Sequence, residues 1–349
     1  MELFATTTGK SHVVDGSVPR LRDDEGPTVV SCCVQPEKYK GHILRSLKLH
    51  PTSLPKAVII FIHGYFQHSR AVELHDLQQR ALSEGFVWFG LDAPGHGLSG
   101  QTGDPTHPAS PGQVPDMDAW IEDLYVFVIA VSSEESIREL PIVLMAHSWG
   151  TGCITLLIPK LQQHLGSRLR GICYSGCGTL PPELANEPPA IATAFIKCMA
   201  CINPEALAFG REVALSESCR DPRWLQRCSD DQLRVQSSLR PWLALKNLLT
   251  TNPHGRSGAL VPTLNIPMCI CHGTADKAAP VYSSVHLYCH SATAFESKLL
   301  RLYAGAAHNL FADLKREELM SDWIRFAKDA VSQRTLASGS EDGGSTGGV

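Results

Sequence analysis

The chain has 349 residues, 43% hydrophobic and 19% charged, with 28 glycines and 23 prolines, a balance that excludes collagen-like, coiled-coil and wholly disordered architectures. Thirty-one Lys and Arg stand against thirty-five Asp and Glu, so the formal net charge of −4 provides no overall basic field, and no nucleic-acid partner is expected. The length suits one large α/β domain or two modest ones.

Residues 1–38 carry no sustained period and read as a loosely structured extension, without the basic flank and apolar block of a secretory signal. Short β-rich runs then alternate with helical patterns. Strands are expected at 43–49, 57–62, 86–91, 142–146, 171–175, 268–271 and 298–303, and helices at 70–83, 117–131, 150–164, 281–290 and 310–331. Such alternation predicts an α/β fold with a mostly parallel central sheet flanked by helices. Within the helix at 70–83, Leu74, Leu77 and Ala81 share one face, while Glu73, Asp76 and Arg80 fall on the polar remainder, as on a surface helix. The alternation breaks once. Residues 181–262 have helical patterns without a strand, edged by Pro181-Pro182, Pro188-Pro189 and Pro262, and predict a helical cap inserted between core segments 39–180 and 263–333. The Gly/Ser-rich tail 334–349 predicts disorder.

Several of the twelve cysteines lie in apolar runs such as Pro267-Met268-Cys269-Ile270-Cys271, where a free thiol acts as a small hydrophobe. Reduced thiols in an intracellular compartment, cytoplasmic or peripherally membrane-associated, are therefore expected. Cys198-Met199-Ala200-Cys201 has the spacing of a metal or redox pair but no second pair at zinc-ribbon distance, so no metal is expected. No apolar run reaches the roughly 18 residues of a transmembrane helix.

Chemistry concentrates at Ala146-His147-Ser148-Trp149-Gly150, where an apolar strand runs into a serine flanked by small residues and then into a helix. A strained strand-to-helix turn needs those small flanks, because bulky ones would strike the neighbouring strand and helix. Alone, Ser148 could simply cap a helix. Its partners decide the matter: Asp276 and His308 each follow a predicted strand, in the order Ser, Asp, His, which places all three at the carboxyl edge of the sheet. The strand at 57–62 ends in His63-Gly64-Tyr65, whose loop can supply one backbone N–H to an oxyanion beside Ser148, with Trp149 supplying the second. His63 reads as a buried organiser of that turn, and the glycine-rich loop 92–99 as scaffold. A serine nucleophile with this base and acid calls for no cofactor.

The segments 63–65, 67–69, 92–99, 146–150, 272–276 and 305–310 resemble the monoacylglycerol lipase family of α/β-hydrolases, within the serine-aminopeptidase-like and lysophospholipase group, from about residue 42 to 331. The resemblance implies the α/β-hydrolase fold and hydrolysis of a monoacylglycerol or similar single-chain lipid ester under a lid, with Ser148, Asp276 and His308 as the triad. Two positions depart from it. Ala146 stands where many members have Gly, and Gln67 where the animal lipases carry a Glu at the polar end of the pocket. Gln67 is therefore a candidate substrate contact, as are Phe195 and Trp242 in the apolar stretches of the cap, which could line an acyl tunnel or touch a membrane or micelle. The same triad would also serve a lysophospholipase, a carboxylesterase, an acyltransferase or an aminopeptidase, and the fold alone could serve a non-catalytic ligand receptor.

Overall fold

In the computed structural model, which describes residue 26 and residues 29–31, 40–100, 111–181, 189–208, 214–235 and 240–337, the apolar runs assemble into one large sheet. Two short strands precede it: β1 (Val29–Val30) pairs antiparallel with β2 (Ile43–Leu44). The sheet itself comprises β3 (Ser46–Leu49), β4 (Ala57–Ile62), β5 (Phe86–Leu91), β6 (Ile142–His147), β7 (Leu169–Ser175), β8 (Met268–Gly273) and β9 (Lys298–Tyr303). The order across it is β3-β5-β4-β6-β7-β8-β9, antiparallel at β3–β5 and parallel elsewhere.

The strand expected at 43–49 is two strands. Arg45 interrupts it: its N–H donates to Ser99 Oγ at 2.8 Å and its carbonyl accepts from Asp92 N at 2.9 Å. The residues before it leave the large sheet and pair with Val29–Val30, so this part of the supposedly loose extension carries a strand. The remainder of segment 1–38, apart from residues 26 and 31, lies outside the described residues.

Ten helices surround the sheet among the described residues: α1 (His75–Ser83), α2 (Met117–Ser132), α3 (Trp149–Leu165), α4 (Ala190–Ile202), α5 (Leu215–Ser218), α6 (Pro222–Asp230), α7 (Trp242–Thr251), α8 (Pro253–Leu260), α9 (Val281–His290) and α10 (Arg316–Ala337). Strand alternation divides their packing. Val58, Ile60 and Ile62 of β4 join Trp120 and Phe127 of α2 and Ile154 and Ile158 of α3. Ile59 and Phe61 point the opposite way, to Leu77 of α1 and to Leu319 and Trp323 of α10. Apolar side chains on both faces make β4 and β6 buried throughout, as central parallel strands must be.

Helices α4 to α8 lie between β7 and β8 with no strand among the described residues beyond a single bridge, Leu207 to Pro241. The helix expected at 70–83 starts at His75 after a 3-10 turn at Val72–Leu74. That tighter turn puts Glu73 inside the protein, fully buried, where the helical pattern had placed it on the surface. Helix α10 likewise begins later than expected, at Arg316, and continues to Ala337, past the expected start of the tail, whose residues 338–349 lie outside the described residues. No described helix is long and apolar enough to cross a membrane.

Candidate active site

Between β6 and α3 the backbone turns at Ser148 with φ +51°, in the left-handed region that a serine occupies only where its surroundings hold it. Its N–H donates to Ser175 O at 2.8 Å and its carbonyl accepts from Thr151 N at 2.9 Å. The small flank has a specific cause. A Cβ on Gly150 would stand 2.5 Å from His63 O and 2.7 Å from Ile62 O, so helix and neighbouring strand meet there without room for a side chain.

Ser148 Oγ lies 2.7 Å from His308 Nε2, and His308 Nδ1 lies 2.7 Å from Asp276 Oδ2. Gly176, at φ +57°, leaves space for the imidazole, since a Cβ would come within 2.9 Å of its Cε1. Asp276 sits in the loop after β8 and accepts from the N–H groups of Ala278 at 2.7 Å and Ala279 at 2.9 Å. His272, the fifth residue of β8, adds Nε2 at 3.0 Å, its own orientation fixed by Ser284 Oγ at 2.6 Å from Nδ1. Burial pushes the Asp276 carboxyl up, but the His308 charge and the hydrogen bonds from His272, His308 and Ala279 outweigh it and hold the pKa well below the carboxylate range. A hydroxyl bonded to an imidazole that an ionised carboxylate orients can lose its proton as the oxygen attacks a carbonyl carbon.

Across the opening stand Tyr65 and Trp149. Gly64 brings the first loop against the turn, because a Cβ there would lie 3.0 Å from Ser148 Cβ. Trp149 opens α3, whose first N–H groups have no partner within the helix. Its indole stacks on His96 and Trp120, both at 5.9 Å. His63 links two loops: Nδ1 donates to Gly64 O at 2.7 Å and Nε2 accepts from Ala93 N at 3.0 Å. In loop 92–99, Asp92 accepts from Ser69 N and Leu98 N.

A cavity of about 310 Å³ opens over these groups, lined by Tyr65, Gln67, Ser148, Trp149 and His308 from the core and by Leu215, Arg234, Val235, Arg240 and His254 from the segment between β7 and β8. Gln67 reaches this cavity but is engaged at both ends. Its Oε1 accepts from Gly64 N at 3.2 Å and its Nε2 donates to Glu73 at 2.8 Å. Phe195 and Trp242 do not line the cavity. They face each other edge to face at 5.7 Å, Trp242 buried in a separate apolar cluster with Ala200 and Ala208 and Phe195 partly exposed at its edge.

Glu73, Arg234 and Asn309 escape sequence reasoning. Glu73 accepts from Gln67, from Arg234 Nη1 at 2.9 Å and from Asn309 Nδ2 at 3.1 Å. Only the adjacency of Asn309 to His308 marks any of them in the sequence. His254 and Arg240 leave no signal, since the segment that carries them has no strand to fix its position.

Residues 53–315 match the family described as serine aminopeptidase, S33. The chain is 26% identical over 280 residues to the monoacylglycerol lipase of Mycolicibacterium smegmatis, spanning 78% of this chain and 90% of that protein. It is 24% identical over 292 residues to the monoglyceride lipase of Homo sapiens, spanning 83% and 86%. A soluble variant of monoglyceride lipase from Saccharomyces cerevisiae has a similar fold, with a TM-score of 0.66 at 18% identity over 92% of this chain and 98% of that one. With a family match over well more than half its length, the chain belongs to the serine aminopeptidase S33 family and is a serine ester hydrolase of the monoacylglycerol lipase-like α/β-hydrolases.

Proposed function

We propose that the protein hydrolyses carboxylic esters of single-chain lipids, of the monoacylglycerol type, through an acyl-enzyme on Ser148. His308 takes the hydroxyl proton as Ser148 Oγ attacks the ester carbonyl, then gives it to the leaving alcohol. Asp276 holds the imidazole in the required tautomer and stabilises the imidazolium, and the backbone N–H groups of Tyr65 and Trp149 receive the developing oxyanion. Water repeats the sequence on the acyl-enzyme. The observation that carries this reading is the pair of 2.7 Å contacts, Ser148 to His308 and His308 to Asp276, at the floor of a cavity.

Helices α4 to α8 act as a cap in this reading, since their segment supplies five of the cavity residues named above. Lipid reaches the cap along α4, which exposes Ile191, Phe195 and Ile202. No Asp or Glu lines the cavity among the described residues, which disfavours an aminopeptidase needing a carboxylate for the substrate amine. A fluorophosphonate probe tests the assignment: it should label the protein and fail to label S148A. Labelling that persists in S148A would exclude Ser148 as the nucleophile. Fatty acid release from monoacylglycerols, compared with lysophospholipids, short p-nitrophenyl esters and aminoacyl amides, tests the substrate class, and release from amides alone would overturn it.

A further inference from the structure

Charge of a single sign lines the cavity. Arg234 and Arg240 face it, and among the described residues no carboxylate does. Arg234 is fixed from behind, its Nη1 2.9 Å from buried Glu73, which does not line the space. Arg240 is fixed from the side. Its guanidinium carbon lies 4.6 Å from the centroid of the Tyr65 ring and 5.6 Å from that of Phe66. A guanidinium held over aromatic rings presents a planar fork of donors suited to a carboxylate or a phosphate.

His254 stands beside them without a charge. Its ring occupies space that two glycines leave open: a Cβ on Gly152 or Gly178 would come within 2.9 or 2.8 Å of Nδ1. That nitrogen is buried and has no hydrogen-bond partner among the described residues, although the residue lines the cavity. Burial first, and then the nearby Arg240 charge, lower its pKa to about 4 against a backbone hydrogen bond to Gly178, so the ring is neutral, its one N–H serves Gly178, and Arg240 and Arg234 are the charged donors of the cavity.

We propose that Arg240 and Arg234 form an anion subsite beside Ser148, so that the preferred ester carries a carboxylate or phosphate a few atoms from the bond that is cleaved. The size of the cavity, about 310 Å³, keeps the two groups close. For the reaction this deepens the ester hydrolase reading above and rests on it; binding does not.

The test uses the full chain and three single-chain ether probes that cannot be hydrolysed: an alkylglycerol, its phosphate ester, and the corresponding alkyl ether of glyceric acid. Titration calorimetry below micelle-forming concentrations should show an anionic probe binding at least about tenfold more tightly than the neutral one. The advantage should shrink at high salt and in R240Q, and persist in part in R240K. An advantage for the phosphate alone assigns phosphate-bearing esters, and one for the carboxylate alone assigns acid-bearing esters. Equal affinities, a preference for the neutral probe, or an anionic advantage untouched by R240Q overturns the subsite. Fluorophosphonate labelling of the same preparation separates the two readings: labelling without anion preference removes the subsite alone, and anion preference without labelling removes the nucleophile alone.

Discussion

Glu73 and Arg234 stand 161 positions apart in sequence, yet their side chains meet at 2.9 Å, with the carboxylate fully buried. Their pairing joins the loop after β4 to the segment between β7 and β8. Through Gln67 and Asn309 it also reaches the loops that carry Gly64 and His308. Burial alone would raise the Glu73 pKa, but the Arg234 charge and the hydrogen bonds it accepts lower it to about 2.

Breaking this pair from either side should be costly, because the partner left behind is an unmatched buried charge. E73Q and R234Q are each expected to lose about 3–5 kcal/mol of stability in urea unfolding. The double variant should lose less than the sum, since neither charge is then stranded. Additive losses would mean that the two residues act independently.

Asp276→Asn should preserve the fold and lower kcat by about 10⁴-fold, because the amide no longer fixes the imidazole tautomer. His272→Gln acts one contact further out, on the carboxylate that orients His308. A loss of up to about 10²-fold in kcat is expected, with KM little changed. Unaltered kcat in H272Q would assign the His272 contact to structure alone.

Three buried imidazoles, and a fourth at the cavity wall, make the fold acid-sensitive. Burial, the largest cause at each, lowers His63 and His254 to about 4 and His96 and His147 to about 3. In the unfolded chain the same rings titrate near about 6.5. Between these values the unfolded state binds more protons, so stability is present above about pH 6.5 and is lost as the pH falls. Each ring contributes a slope of up to about 1.4 kcal/mol per pH unit. Urea unfolding free energies at pH 7, 6 and 5 measure it, and equal values would contradict the neutral burial of these rings.

On α4, Ile191 is 83% exposed and Ile202 71%. Replacing both with Ser should weaken co-sedimentation with phospholipid vesicles by at least about tenfold, given about 1.5–3 kcal/mol for fully burying one such side chain. Unchanged partitioning would remove the helix from membrane docking.

Much of the fold is legible because strand and helix periods are local. The buried runs around Val58 and Val143 reflect constraints within a few residues of themselves, and the turn at Ser148 shows in the small residues that its close neighbours require. Asp276 and His308 are also legible, since each follows a strand of a parallel sheet and such strands end at one edge. Locality also sets the limit. Glu73 lies next to an apolar helical face, and only the 3-10 turn buries it; Phe195 and Trp242 belong to apolar helices, and only packing decides that they meet each other instead of the cavity. What the sequence by itself determined was the order of elements and the residue types at the strand ends. Tertiary structure alone decided which charges line the cavity, because Arg234 and Arg240 arrive on a strand-free segment whose position is set by contacts such as Glu73 to Arg234 rather than by any repeating pattern.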